Sequence, residues 1–217
     1  MKKNYNLFLL LIIFPIFLLA QDSLGEGYLF DKFKDGKVIF KNGQISNAPF
    51  NYNTLSEKLL FMSDGEMLEL ANPNQVVLVN IDNRIFEHIK DGLFYERIKV
   101  GDGALYVRWK SLSISKGKKG AYGVTSSTSS IDNINQISSS GNVVKLKSDE
   151  EFRVTPRNQY FLKIANKFKE FNSADSLAKL FKGHEDEIKK YIKDAQLDFN
   201  KIEDLKKAIE FCGQYNK

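Results

Sequence analysis

The feature that most constrains the fold is a series of Asp-Gly and Asn-Gly dipeptides between residues 27 and 110. These five dipeptides are Asp35-Gly36, Asn42-Gly43, Asp64-Gly65, Asp91-Gly92 and Asp102-Gly103. Such pairs tolerate the positive φ that two-residue hairpin turns require. Apolar runs lie on both sides of three of them, Asn42-Gly43, Asp64-Gly65 and Asp91-Gly92, which predicts three hairpins. Many short strands joined by tight turns predict an antiparallel β-meander, in the form of a curled sheet, a sandwich or a partly open barrel.

The clearest strand pattern is the alternation from residue 105 to residue 110. It places Leu105, Val107 and Trp109 on one face, which we expect to be buried, and the intervening residues on the other face, which we expect to be exposed to solvent. Together with one aromatic residue further along the chain, the wet residues form a candidate contact surface: Tyr106, Arg108, Lys110 and Tyr122. Aromatic and cationic side chains of this kind suit protein interfaces and sugar stacking alike. Coverage by the C-terminal helices is the structural alternative for this face.

A Ser-rich segment follows this strand. Residues 111–140 contain ten Ser, two Thr and a single aromatic residue. Because apolar side chains are too few to offset the entropy of ordering, we predict a flexible loop over residues 115–141, the most mobile internal segment. A lid, a contact loop and simple disorder all fit this composition. Its basic residues are candidates for contact with anionic lipid headgroups or another acidic surface, with a solvated loop as the alternative: Lys116, Lys118 and Lys119.

Strand patterns return at Val143 and end in a hairpin that turns near Asn166, so the β domain is predicted to extend from residue 21 to residue 171. Three short helical patterns then occupy residues 172–217. Helices of about ten residues are marginal alone, so we expect this helical tail to pack on the β domain. Its apolar stripes are Leu177, Leu180 and Phe181, then Ile188, Tyr191 and Ile192, and finally Leu205, Ala208, Ile209 and Cys212.

Each helical pattern has its own start signal. Asn172 or Ser173 can cap the first helix, and consecutive acids at residues 185–187 favour the start of the second. Asn200, with Glu203 three residues later, predicts a capping pair for the third. The predicted class is therefore α+β, with an antiparallel β-meander followed by a C-terminal unit of three short helices.

The N-terminus has the layout of a secretory signal peptide. Lys2 and Lys3 precede an apolar run from residue 7 to residue 20, which is too short to span a membrane comfortably and is interrupted by Pro15. We predict removal of residues 1–20 by cleavage between Ala20 and Gln21, with an uncleaved membrane tether as the alternative. Since no Cys follows the run, we expect a periplasmic or envelope-associated protein and not a lipoprotein. The formal net charge of +5 is too small to indicate a nucleic-acid partner.

The order of these features resembles a group of small exported proteins of Bacteroidota bacteria with no known activity. The features that carry the resemblance are the export signal, Leu29 to Phe33 leading to Lys41-Asn42-Gly43, Phe94-Tyr95-Glu96 with Leu105-Tyr106-Val107, Ala121-Tyr122-Gly123 and the ending Phe199 to Cys212. The resemblance implies export and a similar fold. It brings no catalytic residue, cofactor or substrate.

Catalytic signatures are missing from the sequence. One Cys excludes an internal disulfide and a Cys-based metal site, and His88 is 96 positions from His184. His184 begins an acid-rich segment, but the second His of a zinc-protease motif would stand at Ile188. Cys212 lies on an apolar helix stripe, which predicts a buried, inert thiol. We therefore assign no catalytic residue, no metal ligand and no cofactor.

Three functions are compatible with these observations. The leading hypothesis is a non-catalytic exported protein that acts as an interaction or structural module, with an envelope protein or an anionic membrane surface as partner. The second is a module that binds a small apolar ligand or a sugar, with the Ser-rich loop as a lid. A closed apolar cavity of a few hundred Å³ would favour it, and a filled core would remove it. The third is a hydrolase that uses dispersed carboxylates.

Overall fold

The computed structural model describes residues 24–115 and 152–215, together with the short strands 118–119, 125–126, 136–139 and 142–145 between them. The predicted signal peptide with its Ala20–Gln21 cleavage site, and most of the Ser-rich segment, lie outside the described residues. The first eight strands are β1 Lys34–Phe40, β2 Ile45–Asn53, β3 Lys58–Ser63, β4 Glu66–Glu69, β5 Val76–Ile81, β6 Arg84–Lys90, β7 Leu93–Val100 and β8 Gly103–Arg108. The others are β9 Ser111–Ser115, β10 Lys118–Lys119, β11 Thr125–Ser126, β12 Gln136–Ser139, β13 Asn142–Lys145, β14 Phe152–Pro156, β15 Gln159–Ile164 and β16 Lys167–Phe171. The helices are α1 Ala174–Ala178, α2 Glu185–Asp194 and α3 Ile202–Gly213.

Ten of these strands form one antiparallel sheet in the order β16-β15-β8-β7-β6-β5-β1-β2-β3-β4. Three two-stranded pairs, β9 with β14, β10 with β11 and β12 with β13, lie outside it. The sheet is curled but not closed, and the three helices follow it in the chain. This arrangement confirms the predicted α+β class with an antiparallel meander. No helix in the described ranges combines the length and apolar character that a membrane span requires.

Positive-φ residues form the hairpin turns, as the dipeptides predicted. Gly43, Gly65 and Gly92 have φ of 83°, 80° and 76° and connect β1 to β2, β3 to β4 and β6 to β7. The turn predicted near Asn166 connects β15 to β16, with φ of 61° at that residue. A further hairpin, between β5 and β6, turns at Asp82-Asn83, where both residues have positive φ.

The other two dipeptides, at which no hairpin was predicted, have different positions in the fold. Asp35-Gly36 lies inside β1, and Gly36 is needed for a close approach of strands. A Cβ at this position would lie 2.5 Å from the carbonyl oxygen of Asn80 on β5 and 2.9 Å from the Phe50 ring. The last turn precedes Gly103, since β8 begins at that residue and β7 ends at Val100. Glycine at position 36 is therefore required by the close packing of strands and not by a turn.

One face of the sheet, which we call the inner face, carries two apolar clusters. The register aligns Val79, Phe86, Glu96 and Val107 along this face. The curl cluster fills the space inside the curled strands and comprises Phe30, Val38, Phe50, Tyr52, Leu59, Leu70, Val76, Val79, Ile81, Phe86 and Phe94. Because β3 contacts β7, which is not its neighbour in the sheet, this cluster is enclosed on several sides.

The helical tail covers the other half of the inner face. The tail cluster combines the strand residues Val100, Leu105, Val107, Tyr160, Leu162 and Phe171 with the tail residues Leu177, Ala178, Phe181, Ile188, Ile192, Leu205, Ala208, Ile209 and Cys212. α1 packs on β16 and α3 packs on β7 and β8, while α2 packs on both of the other helices.

The helix starts match the sequence signals in two cases of three. Ser173 caps α1 in a reciprocal capping box with Ser176, and α2 has three acids in its first turn. The predicted Asn200–Glu203 capping pair is wrong. Asn200 donates its side-chain amide to Asp198 at 2.9 Å, and α3 begins after Lys201 without a side-chain cap.

Candidate functional site

The predicted contact surface is largely occupied by contacts within the protein. Tyr106 is only 6% exposed, so its placement on a wet face is wrong. Phe168 meets its ring edge-on at 4.9 Å, and Tyr106, Tyr95 and Phe161 form a small aromatic cluster on the face opposite the helices. The aromatic residues of β15 and β16 cover this face, which the alternation within β8 did not reveal.

Arg108 and Lys110 both bind one carboxylate. Arg108 donates from Nε and Nη2 to the two oxygens of Glu57, at 2.5 and 3.0 Å, and Lys110 Nζ lies 3.4 Å from Glu57 Oε1. The hydrogen bonds from Arg108 to Glu57 raise the pKa of Arg108. Since Glu57 stands in the turn between β2 and β3, these contacts fasten that turn to the end of β8. Arg108 and Lys110 therefore both stabilise the fold through Glu57.

The remaining residues of the predicted surface belong to the Ser-rich segment. Lys116 and Tyr122 lie outside the described residues. Lys118 and Lys119 form β10, which pairs with β11, and their side chains lie outside the described part. Contact of these lysines with anionic lipid or an acidic surface stays a prediction.

Trp109, the last apolar residue of the alternating pattern at residues 105–110, lies between the two apolar clusters. It packs against both the curl cluster and the tail cluster, so it lies at the seam between the two halves of the inner face. Its indole Nε1 donates to Glu96 Oε2 at 2.6 Å. The guanidinium of Arg84 lies 5.3 Å from its ring centre and binds both oxygens of Glu96, at 2.7 and 2.5 Å.

Sequence reasoning missed Glu96 and Arg84, although one signal was present. In β7, Glu96 shares its face with Phe94 and Ile98, so the pattern puts a carboxylate on the apolar side of the strand. A carboxylate that is 6% exposed requires partners. The sequence indicates that a partner exists, but it does not say which residue supplies it.

A pocket of about 360 Å³ opens beside Trp109 at this seam. We call it the seam pocket. It is lined by Glu26, Gly27, Tyr28, Leu29, Thr54, Trp109, Ser111, Val154, Pro156 and Asn158. These residues come from the N-terminal segment, the turn after β2, and the strands β9 and β14 that lead into and out of the Ser-rich segment. Thr54 Oγ1 donates to the Gly27 carbonyl at 3.0 Å and lies 2.9 Å from Ser111 Oγ.

A second cavity, of about 280 Å³, lies at the end of the curl where β1 ends and β2 begins. We call it the trough. In the described part of the chain, its lining contains no charged side chain and comprises Val38, Phe40, Ser46, Asn47, Ala48, Pro49, Phe50, Phe61, Met62, Ser63 and Leu70. The rest of the space inside the curl is filled by fully buried aromatic residues such as Tyr52 and Phe86, whose rings stack at 5.8 Å.

The Cys and His side chains that could take part in catalysis are buried or packed against neighbouring side chains. Cys212 is fully buried, and burial raises the pKa of its thiol to about 12. His184 stacks on Tyr215 and its Nδ1 lies 3.0 Å from Glu187, at the start of α2. Burial, followed by the charge of Lys41, lowers the pKa of His88. Within the described ranges, no three His, Cys, Asp or Glu side chains come together as a metal site.

Comparisons with protein-family models, with curated proteins and with solved structures find no match for this chain. Its function has to be inferred from the chemistry of its own surfaces, among them the trough and the seam pocket.

Proposed function

We propose that this protein is a non-catalytic interaction module that binds a protein of the cell envelope by accepting an apolar side chain of that partner in the trough. The observation that carries the proposal is the lining of the trough. Its described residues include no charged side chain, and they comprise three Phe and one Met, namely Phe40, Phe50, Phe61 and Met62. Depletion of charge together with enrichment of aromatic residues and Met distinguishes the core of a protein interface from the rest of a protein surface.

Exposed apolar residues at the same end of the sheet support this proposal. In the described part of the chain, the exposed large apolar side chains are Ile45, Val77 and Ile114, at 56%, 44% and 47%. Ile45 begins β2 beside the trough, and Val77 lies near the start of β5, which pairs with β1. Ile45 pairs with Ile39, so its side chain lies on the face opposite Val38 and Ser46 of the trough, and apolar surface is exposed on both faces at this end of the sheet.

The filled interior favours a partner side chain over an enclosed small molecule. Small-molecule pockets typically occupy ~300–1,000 Å³ and bury most of the ligand surface. The trough is smaller, at about 280 Å³, and Phe50 and Leu70 close its inner end. A side chain projecting from a partner needs only this depth, since the surrounding contact is made by the rest of the interface.

The location of the module belongs to the same proposal. The charged start, the apolar run and the small residue Ala20 in the first twenty residues support export to the envelope.

The proposal is tested by filling the trough. Ser46 lines it and is exposed, so Ser46→Phe adds a ring to the cavity without disturbing the core. The matched control is Ser56→Phe, at an exposed position in the turn between β2 and β3. A photo-crosslinking amino acid at Met62 in intact host cells identifies the partner, and binding to the purified partner is then measured for each variant.

We expect the Met62 probe to capture one envelope protein reproducibly. Ser46→Phe should weaken binding of that protein at least tenfold, which corresponds to about 1.4 kcal/mol of binding free energy. The reason is that the new ring occupies the place of the partner side chain. Ser56→Phe should bind normally. Equal binding by both variants would exclude the trough as the contact site.

A further inference from the structure

We propose that the seam pocket is a binding site for a neutral sugar ring, with Trp109 as the stacking platform. This site is separate from the trough and does not depend on the proposed protein partner. Three features of the pocket carry the inference: the fixed indole, the mixture of carbon surface and hydrogen-bonding groups, and the low charge.

The indole of Trp109 is held in one orientation. Its N–H donates to Glu96 at 2.6 Å, and Arg84 binds the same carboxylate while lying 5.3 Å from the indole ring centre. Arg84 also lies 4.9 Å from the ring of Phe30, so the guanidinium is itself fixed. A side chain held by its neighbours loses little further freedom on binding. Because the polar atom of the indole is already used, the ring offers the pocket carbon surface.

The lining combines apolar surface with polar groups. Carbon surface comes from Tyr28, Leu29 and Pro156 as well as from Trp109, and polar groups come from Glu26, Thr54, Ser111 and Asn158. A pyranose ring has the complementary construction, since its C–H groups form an apolar face and its hydroxyls lie around the rim. Aromatic rings suit the face, and a few oriented polar groups suit the rim.

The polar groups retain capacity for a ligand. From the described residues, Glu26 accepts one hydrogen bond, from the Val154 N–H to Oε2 at 3.2 Å, whereas a carboxylate can accept about four. Thr54 Oγ1 already donates its one proton to the Gly27 carbonyl, so it can only accept from a ligand, whereas Ser111 Oγ, 2.9 Å away, can donate or accept. Sugar hydroxyls also donate and accept, so they can match either role.

Charge and size select the class of sugar. Among the described lining residues, Glu26 is the one that carries a formal charge at neutral pH, so an anionic ligand would meet repulsion from it. A volume of about 360 Å³ is near the lower limit for ligand pockets, which suits one ring or the end of a chain.

The experiment uses the fact that the chain has a single Trp. Fluorescence of Trp109 in the full mature protein is followed while glucose, galactose, mannose and N-acetylglucosamine are added separately, with glucuronic acid as the anionic comparison. We expect a saturable change with at least one neutral sugar and a weaker response to glucuronic acid. Saturation-transfer NMR on the same samples should show that the C–H face of the sugar contacts the protein.

Two variants test the site. Pro156→Phe fills the pocket without adding a second Trp, and it should abolish the fluorescence response. Glu26→Gln keeps the shape of the side chain and should weaken binding about fivefold through loss of a charged acceptor. Glu66→Gln, at an exposed position on β4, is the matched control and should bind like the unaltered protein. Circular dichroism confirms that each variant is folded before it is compared.

The trough variant separates this inference from the proposed function. Ser46→Phe should leave sugar binding unchanged, and Pro156→Phe should leave binding of the protein partner unchanged. Absence of any saturable response to the neutral sugars would overturn the inference, and so would sugar binding that folded Pro156→Phe and Glu26→Gln both retain in full. Tighter binding of glucuronic acid than of its neutral counterpart would also overturn it.

Discussion

Replacement of Ile188 by Ala should destabilise the whole protein and not the helical tail alone. Ile188 lies on α2, is fully buried, and belongs to the cluster that also contains Leu105 and Val107 of β8. Removal of a buried Ile side chain to Ala costs ~2–5 kcal/mol, because apolar area is lost and a cavity remains. For a protein of this size each kcal/mol lowers the melting temperature by ~2–4 °C. We therefore expect a decrease of roughly 4–20 °C.

Two signals distinguish a single transition from separate ones. Far-ultraviolet circular dichroism follows the helices together with the strands, and fluorescence of Trp109 follows the seam between the two clusters. If the tail is integral to the fold, both signals should change at the same temperature in the unaltered protein and in Ile188→Ala. The matched control is Ile45→Ala, since Ile45 is 56% exposed and should change stability by less than ~0.5 kcal/mol.

The reasoning would be refuted by a loss of helical signal at a temperature where Trp109 fluorescence is unchanged. It would also be refuted if residues 21–171 alone melted at the temperature of the full mature chain. In either case the tail would be a tethered unit, although strand residues such as Leu162 and Phe171 would then be left without their cover.

Three other outcomes are expected. Gly36→Ala should cost ~3 kcal/mol in urea unfolding, because its Cβ would lie 2.5 Å from a carbonyl oxygen of β5; Gly43→Ala, which has open space around it and only an unfavourable φ, should cost ~1 kcal/mol. The Cys212 thiol has its pKa raised from 9.0 to about 12 by burial, so it stays protonated in the folded chain at pH values where the unfolded chain ionises. The free energy of unfolding should be unaffected by this group below pH 9.0 and should fall by up to ~1.4 kcal/mol per pH unit from there to about pH 12. If Cys212→Ala lost the same stability over this pH range, the loss could not be assigned to the Cys212 thiol. Intact-mass measurement of the protein from host cells should show a chain that begins at Gln21, and retention of Met1 would contradict the predicted processing.

Local signals in the sequence were sufficient for most of the secondary structure. Asn42-Gly43 and Asp64-Gly65 predicted turns because positive φ is a property of the residues themselves. Ser173 predicted a helix start because a cap needs only the residues next to it. The same local reasoning was wrong for Asn200, whose amide is taken by Asp198, and for Tyr106, which is covered by residues more than fifty positions away in the chain.

The tertiary structure alone decided which distant residues meet. Glu57 and Arg108 are 51 residues apart and bind each other because the sheet curls until the turn between β2 and β3 reaches the end of β8. Trp109 could be assigned to a buried face from its alternation, but not to a seam where Glu96 and Arg84 hold it beside a pocket. Alternation specifies a side of the strand, whereas a pocket depends on which strands and turns are brought together across that side. The sequence therefore determined the elements and their faces, and the curl of the sheet determined the site.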